Sequence, residues 1–260
     1  MAVSAPKRAA GPWSALDDPD PVAALRAHGF ALVGAAQLRS ICGLDEEATR
    51  ALAPLWPQLP PDAHLRDAGA YRRRRHASYL LDLVDGTLTR TPHRPHWQSP
   101  QLNPLHGGLA RWFEPVDPAV DAMPAWGAVL RHLGLLFAEA AAHDAPDLWF
   151  IEAHPIRTVA GPGIGRPSPQ GAHRAGVDYV ALILVERSRV RGGETRVFET
   201  DSALGLRFTI SEPWSALLLD DARAIQETTA IVADDGQGWR DSLVVTYRRG
   251  GFQSPPDERR

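Results

Sequence analysis

From Leu148 onward the sequence breaks into short apolar or alternating runs: Leu148 to Val159, Tyr179 to Val185, Thr195 to Phe198, Ser215 to Leu219, Ala230 to Val232 and Ser242 to Arg248. Turns rich in Gly, Pro and Asp separate them, and no helical pattern intervenes. Such a succession predicts an antiparallel sandwich or jelly roll. The first half reads differently. Asp20-Pro21 can open a helix that Gly29 closes, a second helix begins near Ala36, and Asp45-Glu46-Glu47 supplies first-turn acids for a third running through Leu52 toward Trp56. Residues 120–142 repeat apolar side chains at three- and four-residue steps, which predicts a helix with Pro124 in its first turn. The expected class is α+β: a double-stranded β-helix (jelly roll) with an N-terminal helical layer and a packing helix near 120–142. One domain is expected over residues 1–260, with a ragged tail at 1–15, the helical layer at 16–65 and the core β-roll at 146–250.

Composition narrows the function classes. The 28 basic and 31 acidic residues nearly cancel, and a net charge of −3 points away from general nucleic-acid or anionic-membrane binding and toward a small-molecule partner. Cys42 is the single cysteine, which excludes an internal disulfide and Cys-rich zinc sites. There is no signal-peptide-like apolar segment and no run of 18 apolar residues, so a cytoplasmic protein is expected. A homo- or hetero-oligomer stays open.

Three stretches carry chemistry. Tyr71 to Leu80 holds four consecutive arginines; on a strand, Arg72 and Arg74 share one face and Arg73 and Arg75 the other. One pair can line a cavity, or the run is a solvated edge strand. The irregular segment 91–114 contains His93, His96 and His106 and reads as a functional loop, although no pair among them has the spacing of a ready metal-ligand set. His173, bracketed by Gly171 and Gly176, precedes the Tyr179 strand and is placed to act as a metal ligand or proton carrier.

Several segments together resemble the bacterial 2OG-Fe dioxygenase family, which includes amino-acid hydroxylases such as isoleucine 4-hydroxylase. They are Gly29 to Leu32, Tyr71 to Arg75, Gln98-Ser99, Asn103, Gly107-Gly108, Arg111 to Pro115, Pro169 to His173, Gly192 to Thr195, Leu219 to Asp221 and Arg240 to Leu243. The resemblance implies Fe(II) and 2-oxoglutarate as cofactors and an amino acid or amino-acid-derived anionic substrate. It implies His173 as the first iron ligand, with the later ligand at Gln226 and the 2-oxoglutarate arginine at Arg240. Two departures stand out: Ala175 occupies the place of the family's carboxylate, and Gln226 that of its second histidine. The chain is therefore expected to carry a dismantled iron site. Ala175 alone would suggest halogenation; with Gln226 as well, metal-independent chemistry (elimination, cyclisation, hydrolysis or proton transfer) or a non-catalytic partner role on the same fold become alternatives. His173, Arg157 and Glu227 are the expected catalytic groups, and Arg72, Arg74, Gln98, Asn103 and Asp178 the expected substrate contacts. Asp178 and Glu227 sit at offsets that turn them away from His173 and Gln226 on a regular strand.

Overall fold

The computed structural model describes residues 19–65, 70–103, 105, 107–200 and 205–255; the expected tail at 1–15 and His106 lie outside them. The first helix, α1 (Pro21–His28), starts where its punctuation demands. The Asp20 carboxylate accepts from the amides of Val22 and Ala23, Pro21 needs no donor partner, and Gly29 ends the helix at φ 78°. Then comes β1 (Phe30–Val33), a departure from the all-helical reading of this region. Its four apolar residues form an edge strand of the main sheet. Two short helices follow, α2 (Ala35–Cys42) and α3 (Glu46–Leu52), the latter capped by the Asp45 side chain.

Strands β2 (Arg72–Arg74), β3 (Ala77–Asp82) and β4 (Leu88–Arg90) precede the long helix α4 (Pro124–Ala141). Pro124 stands at the first helical position, where it costs no hydrogen bond. The remainder is β structure: β5 (Leu148–Ala160), β6 (Tyr179–Ser188), β7 (Val190–Gly192), β8 (Thr195–Glu199), β9 (Gly205–Phe208), β10 (Ala216–Asp220), β11 (Ala224–Thr228), β12 (Ile231–Ala233) and β13 (Gly238–Arg248). The main sheet runs β1-β10-β6-β13-β5-β3-β4, with β2 also on β5; the smaller sheets are β11-β8-β9 and β12-β7. Every pairing is antiparallel.

Side-chain parity divides the main sheet into two faces. Trp149, Ile151 and Ala153 of β5, Ala181 and Ile183 of β6, and Leu243, Val245 and Tyr247 of β13 pack under the helices with Trp126, Leu133 and Phe137. Each large apolar side chain so buried contributes about 1.5–3 kcal/mol. On the other face, Val180, Leu182 and Leu184 meet Val197, Leu206 and Ala224 of the small sheet. The strand β6 is apolar from Tyr179 to Val185, where both its faces are covered, and turns polar at its exposed end, Glu186 to Ser188. Between the sheets, beside this second cluster, the inward residues of β5 and β13 turn polar, and the functional cavity opens there.

Candidate active site

The cavity encloses about 120 Å³ and is walled by β5, β6 and β13 on one side, the 167–175 segment and β11 on another, and the 96–111 loop on a third. Four buried arginines face it: Arg72, Arg74, Arg111 and Arg240. Parity and register explain three of them. Arg72 and Arg240 both lie opposite Thr158 of β5, on its two sides, and Arg74 and Ser242 flank Ile156 in the same manner. The edge-strand alternative for the arginine run thus gives way to the cavity alternative for Arg72 and Arg74, while Arg73 and Arg75 turn outward to the carbonyls of Leu59 and Pro115.

Of these four, among the described residues, only Arg72 has a carboxylate in direct contact, Asp62, which accepts from its Nε and Nη2 at 2.7 Å each. Arg74 donates to His154 Nδ1 at 2.7 Å and lies 3.8 Å from the centre of the Phe113 ring; Arg111 donates to Gln98 Oε1 at 2.7 Å. Arg240 is 2% exposed, and its Nε and Nη2 have no hydrogen-bond partner among the described residues; the Nε atoms of Arg74 and Arg111 share that condition. Burial first, then the charge of Arg72, pushes Arg74 down to about 9, while burial and Arg187 push Arg240 down to about 10. Both stay cationic at neutral pH, so the cavity is built for an anion.

Opposite this wall, His173 pairs with Gln226 through reciprocal backbone hydrogen bonds of 3.1 and 3.2 Å. His173 Nδ1 donates to the Gly171 carbonyl at 2.8 Å, which leaves the Nε2 lone pair facing the Gln226 amide nitrogen at 3.5 Å. Burial is the main cause that keeps this imidazole below its usual pKa, hence neutral at pH 7. Ala175 contributes its carbonyl, which accepts from Gln253 and Gln98. The Asp221 carboxylate accepts from three successive amides, those of Ala175, Gly176 and Val177, at 2.7–3.2 Å and fixes the backbone of this segment.

A second polar cluster adjoins the cavity on the main-sheet wall. Glu152 and His154, two apart on β5, both point inward and meet His76, at the β2–β3 junction, and His96, from the loop. All four are buried, and one ligand atom from each lies within 4.8 Å of the others. Glu152 accepts from His76 Nε2 and His96 Nδ1 at 3.1 Å each and from Arg94 at 3.2 Å. His154 stacks on His76, with ring centres 4.8 Å apart and planes 16° apart. Burial outweighs the carboxylate's pull on His96 and leaves it at about 4; burial and Arg74 hold His154 well below its usual value. For Glu152 burial works the other way, yet the His96 and His76 contacts keep it ionised.

The cavity gathers His173, Gln226, Arg240, Arg72, Arg74, Gln98 and Asn103. Arg157, Glu227 and Asp178 are not among its lining residues. Arg157 has the wrong parity on β5 and forms a bidentate pair with Asp241 at 2.6 and 2.7 Å. Glu227, beside Gln226, turns to Arg196, and Asp178 turns to Arg249. The expected catalytic roles of Arg157 and Glu227 and the expected substrate contact of Asp178 are corrected on those grounds. Conversely, sequence reading passed over His76, Glu152 and His154; the Glu152-Ala153-His154 spacing on a predicted strand was the available signal.

Residues 53–246 match the model of the 2OG-Fe dioxygenase family. The chain belongs to that family. The crystal structure of a bsmA homologue from Methylobium petroleophilum PM1 is 43% identical, with 96% of this chain and 97% of that one covered at a TM-score of 0.85. Two further structures share the fold at 16% identity: IDO from Bacillus thuringiensis (96% and 99% covered, TM-score 0.72) and the Fe(II)/(alpha)ketoglutarate-dependent dioxygenase TqaL (94% and 93%, TM-score 0.68). No curated protein matches the sequence. Among the described residues, no helix is long and apolar enough to cross a membrane.

Membership in the 2OG-Fe dioxygenase family implies 2-oxoglutarate and Fe(II). The orphaned guanidinium nitrogens of Arg240 fit a carboxylate of the former. For the metal, His173 and Gln226 offer one imidazole nitrogen and one neutral amide, a poor donor set for Fe(II). The expectation of a chain left only with a dismantled ligand set is nonetheless corrected, because His76, His96, Glu152 and His154 supply three imidazoles and a carboxylate in one place.

Proposed function

We propose that this 2OG-Fe dioxygenase family member is an oxygenase-type enzyme that binds 2-oxoglutarate through Arg240 and oxidises an anionic, amino-acid-derived small molecule held near Arg74 and Arg111. One observation carries the reading: a fully buried guanidinium in the cavity with two nitrogens that lack partners among the described residues. Leaving such groups unpaired is costly, and a bidentate carboxylate relieves both at once. When bound, 2-oxoglutarate supplies the two electrons this family passes to dioxygen and leaves as succinate and carbon dioxide. The chain's own residues bind and orient. Thr158 and Ser242 border the Arg240 end, and Gln98, held by Arg111 and Asn103, fixes the opposite loop. The resemblance to amino-acid hydroxylases supports the substrate class, and the Arg74–Arg111 end suits its carboxylate.

Calorimetric titration with 2-oxoglutarate in chelator-treated buffer tests the Arg240 site apart from any metal. Arg240→Met is expected to weaken binding by about 10- to 100-fold, the loss of a charge-assisted pair, whereas the exposed Arg50→Met is not. Absence of binding at millimolar ligand, or equal binding by Arg240→Met, refutes the reading. A second reading rests on the His173 tautomer: a neutral imidazole with Nδ1–H anchored has its Nε2 lone pair available as a proton acceptor. Turnover that resists chelators and is lost in His173→Gln would select it.

A further inference from the structure

The geometry points to a metal centre on the main-sheet wall of the cavity, in which His76, His96, Glu152 and His154 hold one first-row divalent cation in place of the poorly endowed His173–Gln226 pair. Three imidazole nitrogens and one carboxylate oxygen form a donor set suited to Fe(II), Co(II) or Zn(II). Bonds of about 2.0–2.2 Å would put the donor atoms roughly 3–4.4 Å apart, and here they all lie within 4.8 Å, so a contraction of a few tenths of an ångström seats the ion. Two donors sit two residues apart on the central strand β5, which fixes their relative placement through the sheet. An independent sign is His76 Nδ1, completely buried and without a hydrogen-bond partner among the described residues.

The surroundings set a condition on binding. Arg74 can only donate, so His154 Nδ1 holds its lone pair toward Arg74 Nη2 at 2.7 Å; an ion bound through that nitrogen displaces the guanidinium, and one bound through Nε2 meets its charge nearby. Arg94 stays on Glu152. A dication among these arginines with a single carboxylate leaves excess positive charge, so an anion must enter with it. Metal and dicarboxylate therefore bind with positive, reciprocal coupling. The coupling rests on the Arg240 reading above; the ligand set does not.

The test is cobalt titration of chelator-stripped, full-length protein, followed by visible absorption and equilibrium dialysis, with and without succinate. One equivalent is expected, bound more tightly when succinate is present. Glu152→Gln and His154→Gln should weaken it by at least about 100-fold, beyond the usual cost of losing an outer-sphere partner, whereas His173→Gln retains the equivalent. Arg74→Met should bind cobalt more tightly than wild type, an outcome a purely structural hydrogen-bond network cannot produce and one that does not depend on a ligand-deleted variant folding. Failure of wild-type protein to take up an equivalent with succinate present overturns the site. So does loss of the equivalent in His173→Gln with retention in Glu152→Gln. If succinate binds through Arg240 but cobalt does not bind, this inference fails and the Arg240 reading survives; if one equivalent binds with no succinate effect, the ligand set stands and the coupling falls.

Discussion

Replacing Asp62 with Asn isolates what one buried carboxylate does for the arginine-lined wall. Asp62 accepts from Arg72 Nε and Nη2 at 2.7 Å each, and its other oxygen accepts from the His64 amide at 3.0 Å. The Asp62 side chain is completely buried and that of Arg72 is 7% exposed. Asparagine keeps an acceptor but removes the charge, leaving Arg72 facing Arg74 and Arg111 without a counterion. Breaking a buried pair by removing one partner costs about 3–5 kcal/mol; the retained acceptor puts Asp62→Asn near the lower limit, about 3 kcal/mol. For a chain of this size that lowers Tm by about 6–12 °C. The acid limb gives a second readout. Burial alone would raise the Asp62 pKa, but the Arg74 and Arg72 charges and the hydrogen bonds outweigh it and hold it below the ordinary value. A carboxyl depressed on folding contributes stability above its unfolded pKa, and that contribution is lost as pH falls through the folded one. Urea melts from pH 7 down to pH 2 should therefore be flatter in Asp62→Asn than in wild type. A Tm shift under 2 °C with an unchanged acid limb would refute the claim that this pair holds the wall together.

Further tests follow from local geometry. A Cβ on Gly107 would meet backbone atoms of Asn103, Pro100 and Ser99 at 2.5–2.6 Å, so Gly107→Ala should displace the loop carrying Gln98 and Asn103. The expected result is weaker 2-oxoglutarate binding by calorimetry at a cost of about 1–3 kcal/mol in urea melts. Tyr79 donates to Asp121 at 2.6 Å and accepts from the Trp126 indole at 3.0 Å. Tyr79→Phe leaves that buried N–H unsatisfied and should cost about 1–3 kcal/mol in the same assay without altering ligand affinity.

Where local chemistry decides structure, the sequence was readable. Asp20-Pro21 and Gly29 mark both ends of α1, Pro124 marks the start of α4, and the continuous apolar run of β6 follows from burial on both faces. The strand Phe30–Val33 was not readable, because four apolar residues after a helix look the same whether they continue a helical layer or pair with β10. The site divides along the same line. Arg72 and Arg74 came from parity within one strand, and Arg240 from family spacing. The His76–His96–Glu152–His154 cluster joins a strand junction, a loop held by the His96–Arg111 bridge, and β5, and no local rule brings those together. Arg157 failed for a related reason: its face depends on β5 parity relative to the cavity, which is fixed only once the sheet is assembled.

The Asp221 carboxylate and the three amides it binds separate two properties that active-site loops usually carry in the same residues. Because the path of the 175–177 segment is imposed from Asp221, outside the segment, the identity of the side chain at position 175 does not determine where that side chain stands. The donor at this position can change over evolutionary time while the loop keeps its form. A lineage can therefore pass through intermediates that lack the older chemistry and still fold to the same cavity, with shape inherited from one residue and reactivity from others.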